Sequence, residues 1–167
     1  RMNQGICRVY LDYPGKTHNK TDGVPAFLVP GLKFAYYGSK KCVDGTTSAG
    51  CNLSPDWSNT TLRKAMTTLI SEMGKRYDGD KRIAFWQVGF LGQWGEWHDP
   101  GNAQGGPQWA DKDVQTEILH AFNSSFLTTP LLVRYPDVTG NYTPADIRIG
   151  FHDDSYAQDT IGNTSWN

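Results

Sequence analysis

No apolar run in this 167-residue chain approaches the roughly 20 residues a bilayer-spanning helix needs, so no membrane span is expected. Excess charge of one sign is missing too. Sixteen basic residues face 17 acidic ones, for a net charge of −1. Without a basic patch, nucleic acid is not an expected partner. Cysteine is scarce, at three residues. Cys42 and Cys51 flank a Gly/Thr/Ser loop and read as a small disulfide ring, with free buried thiols as the alternative. Cys7 is left over, either as a buried thiol or as one whose partner lies outside this chain. The chain lacks a signal peptide and opens on Arg1, which reads as a processed chain or one cut from a longer protein.

What is present is glycine (18 residues), aromatics (13%) and six tryptophans, a loop-rich but not disordered composition. The length suits one domain with a real core, residues 1–167. The strongest compositional signal is Asn-x-Ser/Thr. Six of nine asparagines open such a sequon: Asn19, Asn52, Asn59, Asn123, Asn141 and Asn163. Ser and Thr supply 24 residues, so chance predicts roughly one or two. The density points to a secreted, extracellular, N-glycosylated protein.

Four strands are expected. Residues 6–13 alternate well enough for the first, ended by Pro14-Gly15. Residues 14–53 form a long irregular connection, in which 26–32 (AFLVPGL) is a short strand or a tucked loop. Ser54-Pro55-Asp56 reads as a helix start. Leu62, Ala65, Met66, Leu69, Ile70 and Met73 give that helix an apolar face, and Gly74-Lys75-Arg76 its end. Residues 83–91 form an apolar run, read as a strand buried on both faces, with Trp86 in the core. Asp111 or Asp113 opens a second helix with Val114, Ile118, Ala121, Phe122 and Phe126 inward. Residues 131–135 and 147–152 are the remaining strands. The order implies two βαβ units and a parallel α/β sheet. Long loops after the first two strands suit a barrel with its site at the strands' carboxyl ends. Four strands in a chain of this length fit part of a longer (β/α)8 barrel, or else a smaller open sheet.

The segments RVYLDYPG, KRYDGDKRIAFWQVGFLGQWGEWH and PLLVRYP resemble an uncharacterised family of secreted barrel proteins with a G-x-W-G-E-W-H signature. The likeness spans most of the chain. That family in turn resembles the clan of retaining glycosidases with β-galactosidase-like barrels, chiefly in layout. The resemblance implies an acid/base glutamate at the end of a strand, here Glu96. In the clan asparagine often precedes it; here Gly95 does. The clan's nucleophilic glutamate has no match in this chain.

Glycoside hydrolysis needs two carboxyl groups, one of which keeps its proton in an apolar pocket. Glu96, between Trp94 and Trp97, is the candidate acid/base. Asp153 and Asp154 are its candidate partners, and Asp12 and Asp137 also follow strands. Trp94, Trp97, His98, Trp109, Asp12, Arg134 and His152 are candidate ligand contacts, the indoles as flat faces for sugar rings. Glu96 reads equally as a structural carboxylate bonded to backbone N–H groups or to Arg134. Glu96, His98, Asp99, His152 and Asp153 match no standard zinc spacing such as His-Glu-x-x-His, so neither metal nor cofactor is assigned. Two functions compete. One is a structural or adhesive secreted glycoprotein on a glycosidase-like barrel without turnover, whose partners are its own glycans, a glycan ligand or further copies of itself. The other is a glycoside hydrolase using Glu96, with non-catalytic carbohydrate binding between them.

Overall fold

The computed structural model describes residues 3–13, 23–38, 51–98, 109–134 and 148–153. Its elements are β1 (Gly5–Cys7), β2 (Tyr10–Asp12), β3 (Phe34–Gly38), β4 (Cys51–Pro55), α1 (Thr60–Tyr77), β5 (Ile83–Gln87), β6 (Phe90–Gln93), α2 (Lys112–Ser125), β7 (Leu131–Val133) and β8 (Ile149–Phe151). The result is a mixed α/β fold. A four-stranded sheet runs β1-β5-β7-β8, and β2-β6 and β3-β4 pair separately. All pairings are parallel except that of β3 with β4.

Both long strands expected from the sequence are divided. The first splits into β1 and β2 at Arg8-Val9, the central one into β5 and β6 at Val88-Gly89. The breaks face each other. Phe90 N–H donates to the Val9 carbonyl at 2.7 Å. A Cβ at Gly89 would lie 2.1 Å from that same oxygen, so only glycine lets the backbones approach this closely.

The first helix does not start at Ser54. Residues 51–55 are β4, paired with β3 in a hairpin inside what reads as an irregular connection. Ser54 is buried there, and the chain turns before Asn59. The Asn59 Oδ1 accepts from the N–H groups of Thr61 and Leu62 at 3.0 and 3.1 Å, which caps α1. The helix ends at Tyr77, one residue past the expected Gly74-Lys75-Arg76 end, with Gly74 inside its last turn. Gly74 is buried within α1, where a Cβ would come within 2.3 Å of the Ser125 carbonyl oxygen, so it is the point where α2 crosses. Residues 26–32 are turns rather than a strand, with Leu28 in the core.

Leu62, Met66, Ile70 and Met73 of α1 join Val114, Ile118, Leu119 and Phe122 of α2 in one core with Trp86, Leu131 and Val133 of the sheet. Leu69, expected on the inner face, is instead 44% exposed. Trp86 stacks with Tyr77 and packs on Phe126. Arg63 and Glu117 pair at 2.5 Å between the helices, so both lie on one side of the sheet. Asp78 ties their ends together, its carboxylate accepting from the N–H groups of Leu127, Thr128 and Thr129. Desolvation opposes its charge, yet those N–H groups hold its pKa below the usual carboxylate value. No helix among the described residues is long and apolar enough to cross a membrane.

The Asn59 cap yields a prediction that separates helix stability from glycosylation. Asn59→Ala is expected to cost about 1 kcal/mol and Asn59→Asp only a few tenths, because aspartate keeps the accepting oxygen while deleting the sequon. Urea unfolding of unglycosylated protein measures both, and equal losses would show that the cap contributes nothing.

Candidate functional site

The parallel strands deliver their following residues to one end of the sheet: Arg8 after β1, Asp12 closing β2, residues 94–98 after β6, Arg134 after β7 and His152 after β8. Residues 90–98 make a tight turn in which Phe90, Trp94 and Trp97 all have positive φ (68°, 51° and 58°), as do Gly92 and Gly95. Each non-glycine residue held there costs roughly 1–2 kcal/mol, so the surroundings must enforce the turn. Several contacts do so. Trp94 N–H donates to the Asp12 carbonyl at 2.8 Å, and Trp97 N–H to that of Leu91 at 3.0 Å. The Trp97 indole is buried and donates to the Gly89 carbonyl at 3.0 Å. At Gly92 a Cβ would meet the His98 oxygen at 2.6 Å and the Trp109 ring at 3.0 Å.

This turn projects Glu96 back over the sheet. Its Oε2 accepts a short hydrogen bond from Arg134 Nη1, and its Oε1 lies 3.3 Å from Arg8 Nη2. His98 Nε2 stands 3.6 Å from Oε2. The side chains of Glu96 and Arg134 are only 12% and 9% exposed. Glu96, itself after β6, therefore bridges the exits of β1 and β7, the two strands that flank β5. Its partners are guanidinium groups rather than the apolar walls expected around a general acid, and Arg134 is the expected ion-pair partner. Gln87, ending β5, contacts His152 Nδ1 at 3.3 Å and completes the row.

Asp12 sits differently. It is 1% exposed. Its Oδ1 accepts a short hydrogen bond from the Tyr37 hydroxyl. Burial pushes its pKa up to about 6, against the opposing effects of Tyr37, Ser54 and His98. Burial and the negative charge of Asp12 push the Tyr37 phenol well above its ordinary range. Trp57 Nε1 donates to Ser54 Oγ at 3.1 Å, so the hairpin and the residues before α1 support this polar network.

Aromatic surface is available nearby. Trp94 is 37% exposed and its ring stacks on His98. Tyr10 and Tyr13 stack with centroids 5.5 Å apart and are 37% and 38% exposed. Of the expected indoles, Trp94 is open, Trp109 half-buried over Gly92, and Trp97 in the core. Asp153 is exposed after β8. Asp154, Asp99, Asp137, Asn19, Asn141, Asn163 and Cys42 lie outside the described residues, as does the Cys51 side chain, so the Cys42–Cys51 pairing falls there too. Cys7 is a free, half-buried thiol. Asn52 is half-buried in β4, and Asn123 Oδ1 accepts from Arg148 N–H at 3.0 Å. Among the described residues no three His, Cys, Asp or Glu side chains gather as a metal site would need.

Arg8, Tyr37, Ser54 and Gln87 were not apparent from the sequence as parts of the site. Arg8 lies inside an expected strand, and Tyr37 belongs to the unrecognised hairpin. The one available signal was the aromatic, strand-favouring composition of residues 34–38, which is too short to stand out.

Asp12 makes stability depend on pH. With its pKa raised from 3.8 to about 6, the folded chain binds more protons than the unfolded chain between those values. Its contribution is complete below about pH 3.8 and is lost as pH rises through about 6, by roughly 3 kcal/mol. Asp78 and Asp80, whose pKa values are lowered, act in the opposite sense and below this window. Asp12→Asn, which keeps an acceptor for Tyr37, is expected to flatten the profile. Urea midpoints at about pH 4 and pH 7 measure it, and an unchanged difference in the variant would remove Asp12 as the cause.

No protein-family model, no curated protein and no solved structure matches this chain.

Proposed function

We propose that this chain is a secreted, N-glycosylated structural or adhesive glycoprotein, built on a glycosidase-like barrel sheet whose strand-end site does not turn over sugar. The observation that carries the reading is the occupation of Glu96. Both of its oxygens face guanidinium groups, Oε2 that of Arg134 and Oε1 that of Arg8. A carboxylate used in this way holds three strand exits together and is poorly placed to exchange a proton with a glycosidic oxygen. The barrel-like element of the proposal is supported by the strand order β1-β5-β7-β8, in which strands add in one direction with both helices on one side. The glycoprotein element rests on the six sequons. Of these, Asn59 caps α1 through Oδ1, which leaves its Nδ2 available for a glycan.

One observation favours turnover instead. Two carboxyl groups at this end occupy unlike environments, Asp12 buried with its pKa pushed up to about 6 and Glu96 among arginines. Glycosidases use such a contrast to divide acid from base. On this alternative the contrast gives the proton to Asp12 and the charged role to Glu96, the reverse of the acid/base role expected for Glu96, with Trp94, Tyr10 and Tyr13 as sugar contacts.

Expression in a secretory eukaryotic host followed by peptide mass spectrometry is expected to find glycans at several sequons. Wild type and Glu96→Gln are expected to leave a panel of aryl glycosides and oligosaccharides unhydrolysed. Because Glu96→Gln leaves two guanidinium groups short of their counter-charge, it is expected to cost about 1–3 kcal/mol of stability. Hydrolysis by wild type that Glu96→Gln abolishes would replace this reading with the glycosidase. Glycan binding that Glu96→Gln leaves intact would instead identify a non-catalytic carbohydrate-binding module.

A further inference from the structure

The two flanks of α1 are unlike. Arg63 and Gly74 meet α2 on one flank. On the other runs an apolar groove of about 700 Å³, walled by Leu11, Phe27, Leu28, Ala65, Leu69 and Phe90. Phe27 is 78% and Leu69 44% exposed. Large apolar side chains exposed together mark a surface that associates. The lip of the groove is a helical row, Thr61, Lys64, Thr68 and Glu72, and its charges are arranged about a centre. Lys64 and Glu72 stand four residues either side of Thr68, about 6 Å along the axis in each direction.

We propose that two copies of this chain pair across this groove, with their α1 helices antiparallel and the two-fold axis at Thr68. In that arrangement Lys64 of each copy faces Glu72 of the other, so the row is complementary to itself. Ala65 and Thr68 are small enough to let the helices approach, and Leu69 and Phe27 are covered by the second copy. A parallel pairing would set Lys64 against Lys64 and Glu72 against Glu72. Among the described residues Lys64 has no ion pair, and Glu72 holds only the exposed Lys75 at 2.6 Å, so both charges are available. The surface is built by α1 with Phe27, Leu28, Leu11 and Phe90 and includes none of Glu96, Arg8 and Arg134, so the proposal does not depend on the reading of Glu96.

Sedimentation velocity on the full chain over a concentration series tests it. Wild type is expected to dimerise in the micromolar range. Lys64→Glu and Glu72→Lys, each of which creates two like-charge contacts, are expected to weaken the dimer about tenfold. The double variant Lys64→Glu/Glu72→Lys is expected to restore it to within about threefold of wild type, which also shows that neither change disrupts the fold. A wild type that stays monomeric at about 1 mM overturns the proposal. So does a dimer indifferent to both single reversals, or one that the double variant fails to rescue.

Discussion

The close approach of Gly89 to Val9 is the constraint on which the rest depends. Two adjacent parallel strands break at the same level because one backbone comes against the other where no Cβ fits. Below the break, β1 and β5 belong to the four-stranded sheet; above it, among the described residues, β2 and β6 pair only with each other. The break frees Arg8 from the ladder and sends Asp12 toward the hairpin. It also places residues 94–98 where they can fold back over the sheet. The Gly89 carbonyl, exposed by the bend, takes the indole N–H of Trp97 at 3.0 Å. One backbone contact therefore sets the direction of both carboxylates.

The two carboxylates then meet opposite conditions. Glu96 is partly buried among cations that are themselves half-withdrawn from water, so its charge and theirs are mutually satisfied. Removing one member would leave the others desolvated and unmatched, which is why such clusters resist substitution. Asp12 is sealed with neutral hydroxyls as its hydrogen-bonding neighbours, and burial dominates its behaviour. Tyr37 and Ser54 of the hairpin oppose that rise, favouring the charged form of a residue on a different strand.

Much of the arrangement was legible in the residues. The apolar spacing of α2 and its start at Asp111 are as the pattern implies, with Asp111 Oδ1 accepting from Val114 N–H at 3.0 Å. So are the parallel order of the strands and the reach of Arg134 to Glu96. The breaks were not legible. Residues 83–91 are apolar but for Gln87 and Gly89, and periodicity carries no sign of a bend imposed by a carbonyl distant in sequence. The hairpin was hidden for a local reason. Ser54-Pro55-Asp56 has the composition of a helix start, and proline argues against a strand. Pro55 is tolerated because it ends β4 opposite Phe34, and the true cap, Asn59, resembled a sequon more than a capping residue.

The sequon and the cap are compatible because they use different atoms of one amide. The Asn59 oxygen is committed to α1, while glycosylation modifies the nitrogen. Asn59 stands two residues before Thr61, the first residue of the α1 row. The inner face of α1 is spent on the core and one flank on α2. What remains is the flank with Leu69, Ala65 and the opposed charges of Lys64 and Glu72. In a barrel-like sheet a neighbouring helix normally covers that position. Here the groove along it is lined by Leu11 of β2 and Phe90 of β6, which pair apart from the four-stranded sheet. An apolar flank is costly in water unless something covers it, and a surface with its charges arranged symmetrically about Thr68 is suited to a copy of itself.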